Sequence, residues 1–372
     1  MIAADRPIQR PRDAKLLVVE QDGAVRHRSR SEFVELLQPN DLVIANDAAT
    51  IPASLAGVHA RTGQAVEVRL AGWRSSPDDV SHFAAIVFGE GDYRTRTEHR
   101  ALPPSMVAGD RLILGPLSAT VVELLGHPRL AVLHFEGTAD AIWAGIAHHG
   151  RPIQYAHVSE RLAMWDVWTA IAGPPVAFEP PSAGFVLDWQ TVDRLHRRGV
   201  GFATITHAAG ISSTGDDELD LRLPFDEPYR IPAVTAKAIA RTRAIGGRVV
   251  AIGTTVVRAL EHAAARDGRV HAGDGVADER IGPDSQLRVV DVILSGTHEP
   301  GTSHYQLLKA FVADAVLARM DREMEIGGYR THEFGDSIWV ERRYADARWR
   351  SSSFVSRESS SPTSVSAAAV DR

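Results

Sequence analysis

The chain contains no cysteine. That absence excludes a disulfide framework, a zinc–thiolate or iron–sulfur centre and a cysteine nucleophile. Lysine is scarce as well: Lys15, Lys237 and Lys309 are the only ones, so positive charge is carried by arginine. No apolar run approaches the roughly 18 residues of a membrane-spanning helix. The stretch from Met1 to Lys15 alternates charge with proline and has no signal-peptide core. We therefore expect a cytoplasmic, monomeric protein with no membrane partner. Familiar site signatures are missing too. No Gly-x-Gly-x-x-Gly follows the first expected strand and no Walker loop occurs. There is no Gly-x-Ser-x-Gly elbow, and no histidine pair has the helical spacing of a zinc protease. His148 and His149 are adjacent and would point apart, so no metal site is expected.

The formal charge of -6 argues against indiscriminate binding along nucleic acid, where a basic surface supplies most of the affinity. It leaves room for a local basic face. Arginines cluster at 26–30, 94–100, 194–198 and 342–343, and arginine pairs with phosphate in a bidentate way. With 44% hydrophobic and 24% charged residues the composition is globular. A chain this long buries a large core without a disulfide or metal staple.

The pattern divides the chain into three parts. Residues 1–57 read as mixed α/β, with strands over Lys15–Glu20 and Asp41–Ala45 and a helix over Glu32–Leu37. Residues 58–145 carry short apolar runs between Gly, Pro, Asp and Ser. Val66, Val68 and Leu70 alternate with Glu67 and Arg69, the period of a half-buried strand. Such closely spaced strands predict a small all-β, barrel-like domain inserted into the α/β one. Residues 146–350 alternate strands (201–206, 248–252, 287–294, 337–340) with helices (189–198, 234–245, 255–266, 305–320). That order predicts an α/β fold, a largely parallel sheet with helices on both faces. Residues 351–372 are rich in Ser and Ala and are expected to form a disordered tail.

Ligands of open parallel sheets collect beyond the carboxyl ends of the strands, so the residues that follow each strand are candidates. Ile252-Gly253-Thr254-Thr255 leads a strand into a helix. Gly253 permits a tight turn, either threonine can cap the helix, and the helix start with Arg258 would favour an anion. His207 and His298 each follow a strand and could act as general acid or base. Asp291 interrupts an apolar strand and needs a partner or a role there.

Several segments then resemble one family. They are Asn40 to Gly57 around Asn46-Asp47, Pro180-Pro181-Ser182-Ala183-Gly184-Phe185, Ile252 to Glu261 around Gly253-Thr254-Thr255, Val289-Val290-Asp291 with His298-Glu299-Pro300, and Phe334-Gly335-Asp336. In this order they resemble the S-adenosylmethionine:tRNA ribosyltransferase-isomerase family of queuosine biosynthesis, over about residues 10–340. Two family histidines are missing from Arg222–Glu227, which keeps Glu227. The resemblance implies an α/β domain with an inserted barrel and S-adenosylmethionine as co-substrate. It implies transfer and isomerisation of the ribosyl part onto 7-aminomethyl-7-deazaguanine in tRNA, giving epoxyqueuosine-tRNA, adenine and methionine. His207 and His298 would then move protons, with Asp291 and Asp336 orienting them or the ribose. Thr254, Thr255 and Arg258 would hold a carboxylate or phosphate. Asn46, Asp47, Ser182, Gly184 and Glu227 would complete the substrate site. An enzyme of the same fold with another acceptor, and a non-catalytic RNA-binding protein, are the alternatives.

Overall fold

The computed structural model describes residues 1–343. The Ser-rich tail and the last residues of the expected α/β segment lie outside the described residues. The larger sheet has nine strands, in the order Gly273–Ala277, Glu227–Ile231, Gly201–His207, Leu42–Asn46, Val249–Ile252, Val292–Gly296, Ser337–Glu341, Lys15–Val19 and Val25–Ser29. The four strands from Gly201–His207 to Val292–Gly296 run parallel. Antiparallel pairings extend this centre on both sides, except that Ser337–Glu341 and Lys15–Val19 pair parallel. Three of the added strands, Val25–Ser29, Glu227–Ile231 and Gly273–Ala277, carry no apolar run that would reveal them in the sequence.

Alternation along the strands sorts the core onto the two faces. Leu17, Val19, Leu42, Ile44, Val249, Ala251 and Ile293 pack on one side. The helices Ala233–Ala244, Thr254–Ala263 and Asp314–Ile326 cover them through Ile239, Val256, Leu260, Leu317 and Met320. Leu16, Val18, Val43, Ala45, Val250, Ile252 and Trp339 face the other way. The helix Trp189–Arg197 and the 3-10 turns Arg30–Leu36 and Ser182–Val186 close that side. Because both faces are covered, central strands carry continuous apolar runs, as in Leu42–Ala45 and Val249–Ile252.

The second sheet is a closed barrel of six strands between Ser54 and Phe135, with every pairing antiparallel. Closure leaves no free edge. Its first strand, Ser54–His59, straddles the expected boundary between 57 and 58. The helix Ala139–His149, unread in the sequence, packs Ile142 and Ile146 into the barrel core. That core also takes in Phe178, Ala208 and Ile211 from loops of the α/β part. The Trp73 indole N–H donates to the Val176 carbonyl at 2.8 Å. The barrel therefore buttresses the loops beyond the carboxyl ends of the parallel strands.

Two expected elements are corrected. The strand expected over 287–294 begins only at Val292. Upstream, the amides of Arg288, Val289 and Val290 donate to the Glu261 carboxylate rather than to a neighbouring strand. The helix expected over 305–320 is two helices, Ser303–Leu308 and Asp314–Ile326. Between them the Phe311 carbonyl accepts from the Arg343 amide at 3.1 Å, outside any helical ladder.

Candidate functional site

The carboxyl ends of the parallel strands open on a crevice of about 240 Å³. Six of the residues expected to form the site line it: Ser182, Glu227, Thr254, Thr255, Arg258 and His298. They come from four segments distant in sequence, brought together because strands, turns and helix starts meet at this edge.

Gly253 is the residue that turns the chain from strand into helix, at φ 94°. Neither threonine caps the helix: Thr254 is already its first residue, and no side chain bonds the end amides. Those donors face the crevice at the positive end of a ten-residue helix, a place that favours a carboxylate or phosphate.

Arg258 departs from the expectation of a free cation. Its guanidinium is ion-paired with the Glu227 carboxylate, and it also donates to the Ala277 carbonyl at 2.8 Å. The other Glu227 oxygen accepts from the Gly210 amide at 2.6 Å. Both side chains are more than nine-tenths buried. Burial pushes the Glu227 carboxyl up, against the downward pull of Arg258. The pair welds the strand Glu227–Ile231 to the helix of Arg258.

The two expected histidines differ in kind. His298 lines the crevice, with its Nε2 3.2 Å from the Ser295 hydroxyl. Its ring stacks on His304 at 4.5 Å, and His304 lines the crevice as well. Burial, then His304 and His332, hold His298 well below the usual imidazole range. Burial and then Arg258 push His304 down to about 4. His207 is fully buried behind Glu227, 3.6 Å from its carboxylate, and does not line the crevice. Burial and then Arg258 push it down to about 3. The structure therefore does not bring His207 together with His298: its ring is buried behind the crevice wall, against the Glu227 carboxylate.

The remaining expected residues do not line the crevice. Asn46 holds the backbone of His207 through both amide atoms, each at 2.9 Å. Asp47 accepts from the Thr206 hydroxyl at 2.6 Å. Gly184 sits in the turn after Ser182, where a Cβ would stand 3.0 Å from Thr169. Asp336 is buried, and its carboxylate accepts from the Lys15 and Arg330 amides at 2.8 Å each. Asp291 lies at the opposite, amino-terminal edge of the sheet. There it accepts from the Val249 amide at 2.9 Å and pairs with Arg342 at 3.3 Å. Its place in the chemistry is withdrawn: it tethers strand starts.

His304 and a carboxylate in the crevice both escaped the sequence reading. Glu179 is buried, accepts from the Tyr155 hydroxyl at 2.5 Å and from the Ser212 amide at 3.1 Å, and lines the crevice. Burial pushes its carboxyl up to about 7. An acid inside the apolar stretch Ala177-Phe178-Glu179-Pro180 was its only signal. Among the described residues, one group could converge on a metal ion: His157, His332 and Glu333.

The open sheet with its inserted barrel defines an α/β class of protein, with titratable side chains gathered around a helix start in one crevice. A family model described as queuosine biosynthesis protein matches residues 1–340, and the chain belongs to that family. A protein of Gloeobacter violaceus named S-adenosylmethionine:tRNA ribosyltransferase-isomerase is 32% identical over 342 residues, 91% of this chain and 92% of that protein. One of the same name from Trichlorobacter lovleyi is 29% identical over 352 residues, 91% of this chain and 96% of that protein. A crystal structure of S-adenosylmethionine tRNA ribosyltransferase from Thermotoga maritima has 24% identity and a TM-score of 0.48, covering 91% of this chain and 96% of that one.

Proposed function

We propose that this protein is an S-adenosylmethionine-dependent tRNA ribosyltransferase-isomerase. It moves the ribosyl part of S-adenosylmethionine onto 7-aminomethyl-7-deazaguanine in tRNA, with loss of adenine and methionine. The observation that carries the reading is the meeting of Ser182, Thr254, Thr255 and His298 in one crevice at the carboxyl ends of the parallel strands.

The reaction needs few groups. The sulfonium acidifies the neighbouring ribose 5′ protons, so a base must take one. Adenine leaves more readily when protonated, and the acceptor amine must be neutral to attack. His298 is held neutral and lines the crevice, so its unprotonated ring nitrogen can reach substrate; what sets it apart from His207 is this access, since burial weakens both rings as bases. Glu179, pushed up to about 7, keeps a proton near neutrality and is placed to donate one. Two titratable groups displaced in opposite directions suit a base and an acid sharing one site. The amides and hydroxyls of Thr254 and Thr255 suit the methionine carboxylate.

Adenine release from S-adenosylmethionine, in the presence of tRNA bearing the aminomethyl base, tests the reading. His298→Ala abolishes release while leaving the melting temperature nearly unchanged. Binding of S-adenosylmethionine by calorimetry without any release would refute the tRNA acceptor and favour another one.

A further inference from the structure

We propose that His157, His332 and Glu333 form a binding site for a divalent transition-metal cation of the zinc type. Their candidate ligand atoms all lie within 4.8 Å of one another. His157 Nε2 and a Glu333 oxygen are already 3.1 Å apart. The two imidazoles stack at 4.3 Å with an interplanar angle of 18°. Ligands at about 2.1 Å from a tetrahedral zinc stand about 3.4 Å from each other. The stacked rings hold their in-plane lone pairs nearly parallel, so the half-exposed His332 ring turns out of the stack to complete the set. Two imidazoles and one carboxylate suit zinc, cobalt or nickel, whereas calcium and magnesium call for all-oxygen sites.

The set is assembled from opposite ends of the α/β part. His157 stands beside Val158, which packs with Leu162, Phe185 and Phe334 in a small apolar cluster. Phe334 is the residue after Glu333, and it stacks on Phe185 at 5.5 Å. The ligands therefore hang from a packed base. His332 stands at φ 69°, a left-handed conformation that a side-chain-bearing residue adopts at a cost. The turn around it is fixed by the Gly335 amide bonding the His332 carbonyl at 3.0 Å and by the Asp336 tie to Arg330. That turn aims a second imidazole at the first. Glu299 approaches His332 Nε2 at 3.8 Å, in the place of an outer carboxylate that orients a metal-bound imidazole.

Three protein ligands leave a fourth position for water. The His332 side chain is 38% exposed, so a cation enters from solvent without opening the fold. As it binds, the Glu333 carboxylate and the imidazole lone pairs turn to the ion, and the ring proton of each histidine sits on the nitrogen that does not bind it. The site touches the crevice indirectly. Tyr155, two residues before His157, donates to Glu179, so an ion here would fix the segment that positions this carboxyl. This proposal is independent of the tRNA reading.

The test uses the full chain without a histidine tag, stripped with a chelator and titrated with zinc chloride by calorimetry. One equivalent is expected at micromolar or tighter affinity. Cobalt should give visible d–d bands of a four- or five-coordinate site. His157→Ala and Glu333→Gln should each weaken zinc binding at least ~100-fold, more than the 10- to 100-fold known for outer-shell changes. His332→Asn serves where either variant fails to fold. No binding, or binding that survives all three substitutions, overturns the proposal.

Discussion

Exchanging Glu227 for Gln leaves a buried guanidinium without its counter-charge. The Gln oxygen can still accept from the Gly210 amide, the 2.6 Å bond that Glu227 makes now. The new amino group then faces Arg258, donor against donor. Both partners are buried, at 6% and 7% side-chain exposure, so solvent cannot take over. Breaking such a pair from one side costs about 3–5 kcal/mol. Unfolding entropy of about 2.1 cal/mol/K per residue gives about 0.8 kcal/mol/K for 372 residues. If the chain melts as one unit, the melting temperature falls by about 4–6 °C. Denaturant titration of wild type, Glu227→Gln, Arg258→Met and the double variant closes a thermodynamic cycle. The double variant should recover at least ~2 kcal/mol of the summed single losses, because it removes the orphaned charge as well. Single losses below ~1 kcal/mol, or strict additivity, would refute a buried pair as the joint between strand and helix.

Glu179 gives a pH signature. Its folded-state value is raised, so its contribution is fully present below about pH 4.5 and is lost as pH rises through about 7. A shift of this size is worth about 3 kcal/mol. A glutamine side chain in its place would donate and accept as the protonated acid can, with the Tyr155 hydroxyl and the Ser212 amide as neighbours. Glu179→Gln should therefore be the more stable protein at pH 8 and nearly equal at pH 4.5 in urea titrations. An unchanged gap between the two pH values would show that Glu179 ionises freely. His207 has the opposite sign: its folded-state value is depressed to about 3. Its stabilising share holds above about pH 6.5 and fades as pH falls through about 3, up to about 5 kcal/mol. The stability difference between wild type and His207→Leu should shift accordingly between pH 7 and pH 4, and a flat difference would contradict a neutral buried ring. Asp291→Asn should cost about 1–3 kcal/mol by weakening the tie to Arg342. Turnover per folded molecule should stay within twofold of wild type. A large loss of turnover at full folding would restore Asp291 to the chemistry.

The α/β sheet and the barrel were legible because their signals are local. Val66, Val68 and Leu70 alternate with polar neighbours, and all three are buried in the barrel core. Leu42 to Ala45 is apolar throughout because both faces of its strand are covered. The Gly253 turn was legible for the same reason: a strand, a glycine and a helix start follow one another directly. Edge strands were not, because Val25–Ser29 and Gly273–Ala277 are held by pairing rather than by an apolar face. The Tyr305–Met320 pattern kept helical period across a real break. A carbonyl captured by Arg343 leaves no trace in local periodicity.

Residue roles were less legible than positions, and the reason is electrostatic. The rule that sites gather at the carboxyl ends of parallel strands depends on chain direction alone, and it located the crevice. Whether a charged or titratable residue there is free depends on partners far along the chain. Arg258 looks like an anion ligand until Glu227, 31 residues earlier, takes its charge. His207 looks like a proton carrier until the same pair walls it off, and that burial removes its basicity. Asp291 looks functional because a carboxylate in an apolar run demands a partner; the demand was real, but Arg342 and the Val249 amide answer it at the far edge. The crevice that remains holds neutral His298 and His304 and a proton-bearing Glu179 beside the Glu227–Arg258 pair. Because Glu227 and Arg258 satisfy each other, the charges of that pair are spent on the fold, and the groups left to meet a substrate are the ones whose burial has set their protonation state.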